Sequence, residues 1–405
     1  MTSYMVPPPK NIPLSEILPT EPLLLMGAGP VPIPHAVASA NGVVINHMGD
    51  TMNEIISRVK TMAKYAFQTS NDKIFGISGP SSAAMEMGIT NLLWPGRSAL
   101  VCSMGTFSHR FSELASGVGS DVTIIEPKEN KPFSVEEVEK AFESKSFDVL
   151  TIVQGETSCG ILNTNLKEIV RVAKKNNCLV IVDAVCTLTT MPLSMDEWGI
   201  DVVVTGGQKG LSSIPGVSLI AFSNAAWDVI ENRKVNCPHW CLDARKANMF
   251  WTERKYHYTA PVPGILAMYE ALRLITIETL DKRFERHHMS SRALQKGLEA
   301  MGLTLFVPEE YRLNSVVAID LPKKAESSKI LNYMIDKFNV EISGAFGLNI
   351  IRIGQMGEQC RSQNLFKVLY ALGMSFRKNG FEVDIASGMA RLEENLVLDL
   401  EHFVE

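Results

Sequence analysis

Two bare hydrophobic runs, Leu179 to Val182 and Val202 to Val204, sit inside the stretch LVIVDAVCTLTTMPLSMDEWGIDVVVTGGQKGLSSIP. Short apolar runs without polar alternation are what strands covered on both faces require. Similar runs recur at Lys73 to Ser78, Ala99 to Ser103, Val122 to Ile125, Val149 to Val153 and Val217 to Phe222, the last expected to run antiparallel. Between them lie helical patterns: Glu54 to Phe67, with Ile55, Ile56, Val59, Met62, Ala63 and Ala66 on one face, then Val135 to Phe142 and Leu166 to Lys175. Strand and helix alternating in this way predict right-handed crossovers and a largely parallel α/β sheet. In such sheets ligands bind beyond the carboxyl ends of the strands.

The residues just past each run are therefore candidates for a site. The first run delivers Asp183, and the second delivers Lys209 through Thr205-Gly206-Gly207-Gln208, where two glycines allow a tight turn and close backbone approach. An acid and an amine from neighbouring strand ends can thus face one ligand. A lysine after a strand is often only a solvated loop cation, but the Leu-Ser-Ser-Ile-Pro-Gly beyond it carries no charge. The run ending at Ser78 passes through Gly79-Pro80-Ser81-Ser82 into a helix at Ala83-Ala84-Met85-Glu86. Free N–H groups and the positive end of the helix make an anion site there, to which both serines add hydroxyls. Serines also cap helices with no ligand present. In Ile350-Ile351-Arg352-Ile353-Gly354 an arginine sits among isoleucines. Burying it is costly unless it is paired, and a carboxylate held bidentately is the partner that suits a guanidinium. An internal ion pair is the competing reading.

Together these motifs resemble the fold-type I, class V aminotransferases that use pyridoxal phosphate, and most closely their alanine-glyoxylate and serine-glyoxylate (serine-pyruvate) branch. The likeness runs from about Leu23 to about Gly357. It implies a large domain, with a mostly parallel sheet of the seven-stranded type between helices, and a smaller C-terminal α/β domain. It implies that Lys209 bonds to the cofactor and moves the proton, that Asp183 pairs with the pyridine nitrogen, and that Gln208 lies beside them. Ser81, Ser82 and Ala83 become the phosphate cup, and Phe107 the ring that stacks on the pyridine. In Glu156-Thr157-Ser158-Cys159-Gly160 the Thr157 hydroxyl meets the phenolic oxygen, with Ser158 the second choice. Gly29, in Gly27-Ala28-Gly29-Pro30, becomes a pocket wall, although a plain tight turn fits the same residues. Arg352 takes the substrate carboxylate. Tyr256 and Thr259 reach across a homodimer to the phosphate held by the other subunit, so that active sites are shared.

The implied reaction passes the amino group of alanine or serine to glyoxylate or another small 2-oxo acid, with the cofactor alternating between its pyridoxal and pyridoxamine forms. Pyridoxamine-pyruvate, ureidoglycine-glyoxylate and 2-aminoethylphosphonate transaminases share this frame. A lyase such as a cysteine desulfurase is a second class. It needs a mobile cysteine ahead of the carboxylate-binding arginine, and Ser343-Gly344-Ala345-Phe346-Gly347 contains none. A non-catalytic binding protein of the same fold is the third class, and it predicts loss of the lysine or the aspartate, both of which are present.

By this reading residues 1–22, rich in proline, form an extended arm, 23–275 the large cofactor-binding domain and 276–405 the small domain. A net charge of -5 and a pI near 6.0 give no support for a nucleic-acid or anionic-membrane partner. Seven scattered cysteines argue against a secreted disulfide framework, and the N-terminal residues do not look like a signal or transit peptide, so a cytoplasmic enzyme is expected. Cys237, His239 and Cys241 lack a second ligand pair at zinc spacing, so no metal is expected.

Overall fold

The computed structural model describes residue 6, residues 8–128 and residues 130–400, with the backbone alone for 397–400. Seven strands form the main sheet: β1 (Ile74–Ser78), β2 (Ser98–Cys102), β3 (Asp121–Ile125), β4 (Val149–Val153), β5 (Leu179–Asp183), β6 (Val202–Gly206) and β7 (Val217–Phe222). Their order is β1-β7-β6-β5-β4-β2-β3. Only β7 is antiparallel to its neighbours, and Ser218 in it pairs with Ile77 on one side and Gly206 on the other. Because β7 reverses between β1 and β6, the carboxyl end of β1 emerges on the same edge as those of β2, β4, β5 and β6. All of β4, β5 and β6 is buried, which is the environment their bare apolar runs call for. Edge strand β3 is half-buried to exposed.

Helices α1 (Asp50–Phe67), α2 (Ser81–Leu92), α3 (Thr106–Gly117), α4 (Val135–Ser144) and α5 (Leu166–Lys175) flank this sheet. On α1, Met52, Ile56, Val59, Ala63 and Ala66 turn inward at helical spacing, and the helix ends where Gln68 takes a left-handed φ of 52°. The sequence leads one to expect a long helix from about Thr276. Instead α6 (Val262–Glu278) and α7 (Leu280–Ala300) meet at Thr279, whose φ of 71° interrupts the helical ladder. Leu280 N–H donates to the Tyr65 hydroxyl there at 2.8 Å, and Glu278 pairs with Arg283 and Arg286.

A second, separate apolar core lies at the C-terminal side, under β8 (Val316–Asp320), β9 (Ser343–Gly344) and β10 (Ile350–Gly354), an antiparallel sheet ordered β8-β10-β9. Helices α8 (Ser327–Phe338), α9 (Ser362–Lys378) and α10 (Ile385–Leu400) cover it. The sequence also leads one to expect a strand near 304–307, which forms only an isolated bridge, Leu305 to Ile319. The helix expected to run to Phe403 is described as far as Leu400, and residues 401–403 lie outside the described residues. Leu24–Leu25, assigned from sequence to the large domain, pairs in parallel with Val340–Glu341, and Met26 enters the second core. The apolar side chains of this segment complete the smaller layer. Residues 8–22 are exposed along their length, with one 3-10 turn at Leu14–Glu16.

Candidate active site

Five strand ends converge on a cavity of about 310 Å³ at the carboxyl edge of the main sheet. That volume falls within the range of small-molecule sites, roughly 300–1,000 Å³. Asp183 closes β5. One of its oxygens, Oδ1, accepts the Val185 N–H at 2.7 Å. Beyond β6 the chain turns at Gly207 and Gln208 to bring Lys209 into the same cavity, its Nζ donating to the Ala28 carbonyl. Gly29 forms the wall behind that amine. It has a φ of 103°, and a Cβ there would lie 2.6 Å from Lys209 Nζ, so only glycine leaves the lysine its place.

Burial pushes the Asp183 carboxyl up to about 7, reinforced by Glu156 and opposed by the Val185 N–H, Lys209 and Arg110. Burial acts on the Lys209 ammonium in the opposite direction, lowering its pKa, and Arg352 adds to that effect. Each group is thus moved toward its neutral form by loss of water.

At another wall, β1 leads into the N-terminus of α2. Ser81 Oγ accepts a hydrogen bond from Gln208 Nε2 at 2.8 Å. The serine stands so close over β6 that a Cβ on Gly206 would collide with Ser81 Oγ. Gln208 Oε1 is buried without a partner among the described residues. Ser82 Oγ accepts from Arg110 Nη1 at 2.7 Å, and both residues line the cavity. Ala83, expected in the cup, is placed differently from the two serines. It does not line the cavity, and its N–H is committed to the Pro80 carbonyl at 2.8 Å, closing the first turn of α2.

Phe107, at the start of α3, and Thr157, in the loop after β4, line the cavity. Glu156, fully buried, ties these two segments together. Its carboxylate accepts from the Ser108 N–H (2.9 Å) and hydroxyl (2.8 Å) on α3, and from the Ser158 N–H (3.1 Å) and hydroxyl (2.6 Å) beside Thr157. Ser158, the second choice for the cofactor, is therefore engaged elsewhere: its hydroxyl also accepts the Thr106 N–H at 3.1 Å, and the residue lies off the cavity. Arg352 is buried as expected, but among the described residues it pairs with no acid, and it does not line the cavity. Its guanidinium donates to the carbonyls of Thr157 (2.6 Å) and Gly344 (2.9 Å). Tyr256 and Thr259 are exposed and do not line this chain's cavity. Glu156 and Arg110 are among the site residues that the sequence motifs did not single out.

The family profile described as aminotransferase class-V matches residues 35–361. The alanine–glyoxylate aminotransferase of Drosophila melanogaster is 34% identical over 392 residues, covering 94% of this chain and 99% of the relative. That of Rattus norvegicus is 33% identical over 377 residues, covering 91% and 90%. Among solved structures, the ureidoglycine–glyoxylate aminotransferase of Bacillus subtilis superposes with a TM-score of 0.91 at 28% identity, over 94% of this chain and 99% of that one.

The residues present fit the cofactor of that family. An amine and a carboxyl face one cavity, hydroxyls and a guanidinium gather at the N-terminus of a helix, and a flat ring forms a wall. The buried Asp183 carboxyl, which makes no ion pair among the described residues, is the group that a protonated ring nitrogen would meet. The chain belongs to the class V aminotransferases, fold-type I enzymes that carry out transamination with pyridoxal phosphate.

Proposed function

We propose that this enzyme passes the amino group of a small amino acid, alanine or serine, to glyoxylate. The observation that carries the reading is the convergence of Lys209 and Asp183 on a cavity that also holds Ser81 and Ser82 at the start of α2. Alanine occurs in the names of the Drosophila melanogaster and Rattus norvegicus relatives and ureidoglycine in that of the Bacillus subtilis structure, while glyoxylate is common to all three.

When bound, the cofactor supplies the electron sink for the bond broken at the substrate Cα. Lys209 would take the proton from that carbon and deliver it to the cofactor's C4′, and its lowered pKa makes an unprotonated amine accessible for the task. Asp183 offers the oxygen not used by Val185 to the ring nitrogen and holds a proton on that atom. Ser81 and Ser82, with the first turn of α2, hold the phosphate, and Gln208 fixes Ser81. Phe107 covers a face of the ring, and the Thr157 hydroxyl meets the phenolic oxygen. Arg352 spends three of its five N–H donors on backbone carbonyls and keeps two for a substrate carboxylate. The segment Ser343–Gly347 ahead of it has no cysteine, which speaks against the desulfurase chemistry.

A homodimer with shared sites is part of this reading. Its support is the exposure of Tyr256 and Thr259 together with apolar Leu14, Ile17, Leu18, Val43 and Val44. An arm at 1–22, a large domain at 23–275 and a small one at 276–405 fit the two cores, with Leu24 to Met26 lent to the second. No described helix is long and apolar enough to cross a membrane. All seven cysteines are free, which supports a reducing, cytoplasmic setting.

The test is the visible absorption of the purified enzyme. The bound-cofactor band is expected to fade with L-alanine and return with glyoxylate. A band that alanine leaves untouched would remove alanine as donor and turn the search to serine. No band even after pyridoxal phosphate is added would end the roles given to Lys209 and Asp183.

A further inference from the structure

We propose that Arg110 is the cation that recognises the cofactor's phosphate, so that the site selects phosphorylated over unphosphorylated pyridoxal by charge as well as by the end of α2. The inference rests on the proposed seating of the cofactor between Lys209, Asp183 and the start of α2.

Two cations line the cavity, Lys209 and Arg110. Lys209 is occupied with the Ala28 carbonyl and with the chemistry at Cα. Arg110 lies on α3, one turn beyond Phe107, half-buried, with its guanidinium over the Phe107 ring at 5.4 Å from the centroid. Its hydrogen bond goes to the Ser82 hydroxyl at 2.7 Å. Among the described residues it makes no ion pair, whereas Arg97, Arg283 and Arg312 each find an acid, and the buried Arg233 and Arg352, also without one, spend their donors on backbone carbonyls that Arg110 lacks. A half-buried guanidinium with no counter-charge, its planar fork held by a hydroxyl and a ring face, is set up for an anion that enters the cavity.

Two anions could enter: the phosphate of the cofactor and a carboxylate of the substrate. Ser82 decides between them. It is the second residue of α2, so the guanidinium is anchored at the helix N-terminus, beside Ser81 and Gln208. Arg352, by contrast, is anchored on the carbonyls of Thr157 and Gly344, and not at the start of α2. A helix N-terminus contributes about half a unit of positive charge, well short of a phosphate dianion. Arg110 supplies a full unit at the same place.

The experiment titrates cofactor-free wild type, Arg110→Gln and Arg110→Lys with pyridoxal phosphate and, separately, with pyridoxal, followed by visible absorption and tryptophan fluorescence. Arg110→Gln is expected to weaken pyridoxal phosphate by about tenfold or more, the loss of a charge-assisted contact, while pyridoxal stays within about threefold. Arg110→Lys is expected to fall between. In wild type, millimolar inorganic phosphate is expected to tighten pyridoxal, an effect that Arg110→Gln abolishes and that can be read for wild type whatever the variant's stability. Equal weakening of both ligands would overturn the proposal and make Arg110 a support for Phe107 and Ser82. So would unchanged affinity for both, or a defect confined to the KM of a dicarboxylic substrate. Wild type that binds neither ligand would instead overturn the cofactor seating itself.

Discussion

Asp183 has one carboxylate oxygen on the Val185 N–H and little else to offset its charge, which is why burial moves its pKa from 3.8 up to about 7. In the unfolded chain the group ionises near its ordinary value. Below about pH 4 both states hold the proton, and the residue costs nothing. Between about pH 4 and about pH 7 the unfolded chain gives up a proton that the folded one keeps, so the cofactor-free protein loses stability as pH rises, and the loss levels off above that window. Asp183→Asn removes the dependence. Cofactor-free Asp183→Asn is expected to match wild type near pH 4 and to exceed it by a few kcal/mol at about pH 8, a gap that thermal melts across pH would read. A gap independent of pH would count against the buried charge. With cofactor bound the same variant should lose about 100-fold in kcat, since a neutral amide cannot hold a proton on the ring nitrogen. Asp183 and Lys209 were legible in the sequence because each comes directly after a bare apolar strand. Arg110 was not, because the absence of an acid partner shows only in three dimensions.

Between elements, the start of α3 and the loop after β4 are held in register by one side chain. Glu156 collects Ser108 and Ser158, which lie 48 and 2 residues away, and thereby sets Phe107 and Thr157 on the cavity. The fit leaves no room at Gly105, where a Cβ would collide with Ser158 Oγ and lie 2.6 Å from Glu156 Cγ. Glu156→Gln keeps the size but turns an amide N–H2 toward groups that are themselves donors. We expect it to cost about 2–4 kcal/mol in denaturant unfolding of the cofactor-free protein and to weaken pyridoxal phosphate, because the stacking wall loses its fixed position. Unfolding at the wild-type midpoint would show that the clamp is dispensable. Such a clamp was not legible, since its partners are remote in sequence and a buried glutamate looks like any other. Strands covered on both faces announced themselves by composition. The smaller sheet did not: 304–307 has the strand pattern but forms only an isolated bridge to Ile319, with backbone hydrogen bonds to Ala318 and Asp320, and the break at Thr279 depends on Tyr65 and Glu278.

Across the whole molecule, the chain's beginning links the two cores to the lysine. Leu24–Leu25 pairs with Val340–Glu341, the Met26 carbonyl accepts from Gly354 N–H at 2.7 Å, and Gln359 Nε2 donates to the Gly27 carbonyl at 2.7 Å. The next residue, Ala28, meets Lys209. A continuous backbone path therefore joins the smaller sheet to the amine. What one chain leaves open is the stretch with Tyr256 and Thr259, which are exposed and do not line its own cavity. If these residues complete the phosphate site of a partner copy, two defective chains should repair each other. Lys209→Ala alone is expected to be inactive, and the double variant Tyr256→Ala, Thr259→Ala to bind cofactor weakly. In a mixed dimer, the site holding the intact lysine receives its Tyr256 and Thr259 from the lysine variant, so that one site is whole. Random reassociation at equal amounts makes about half the dimers mixed, so activity is expected to return to about a quarter of wild type for a two-fold symmetric pair. Activity no higher than the mean of the two separate variants, in a sample that gel filtration shows to be dimeric, would place Tyr256 and Thr259 outside the partner's site.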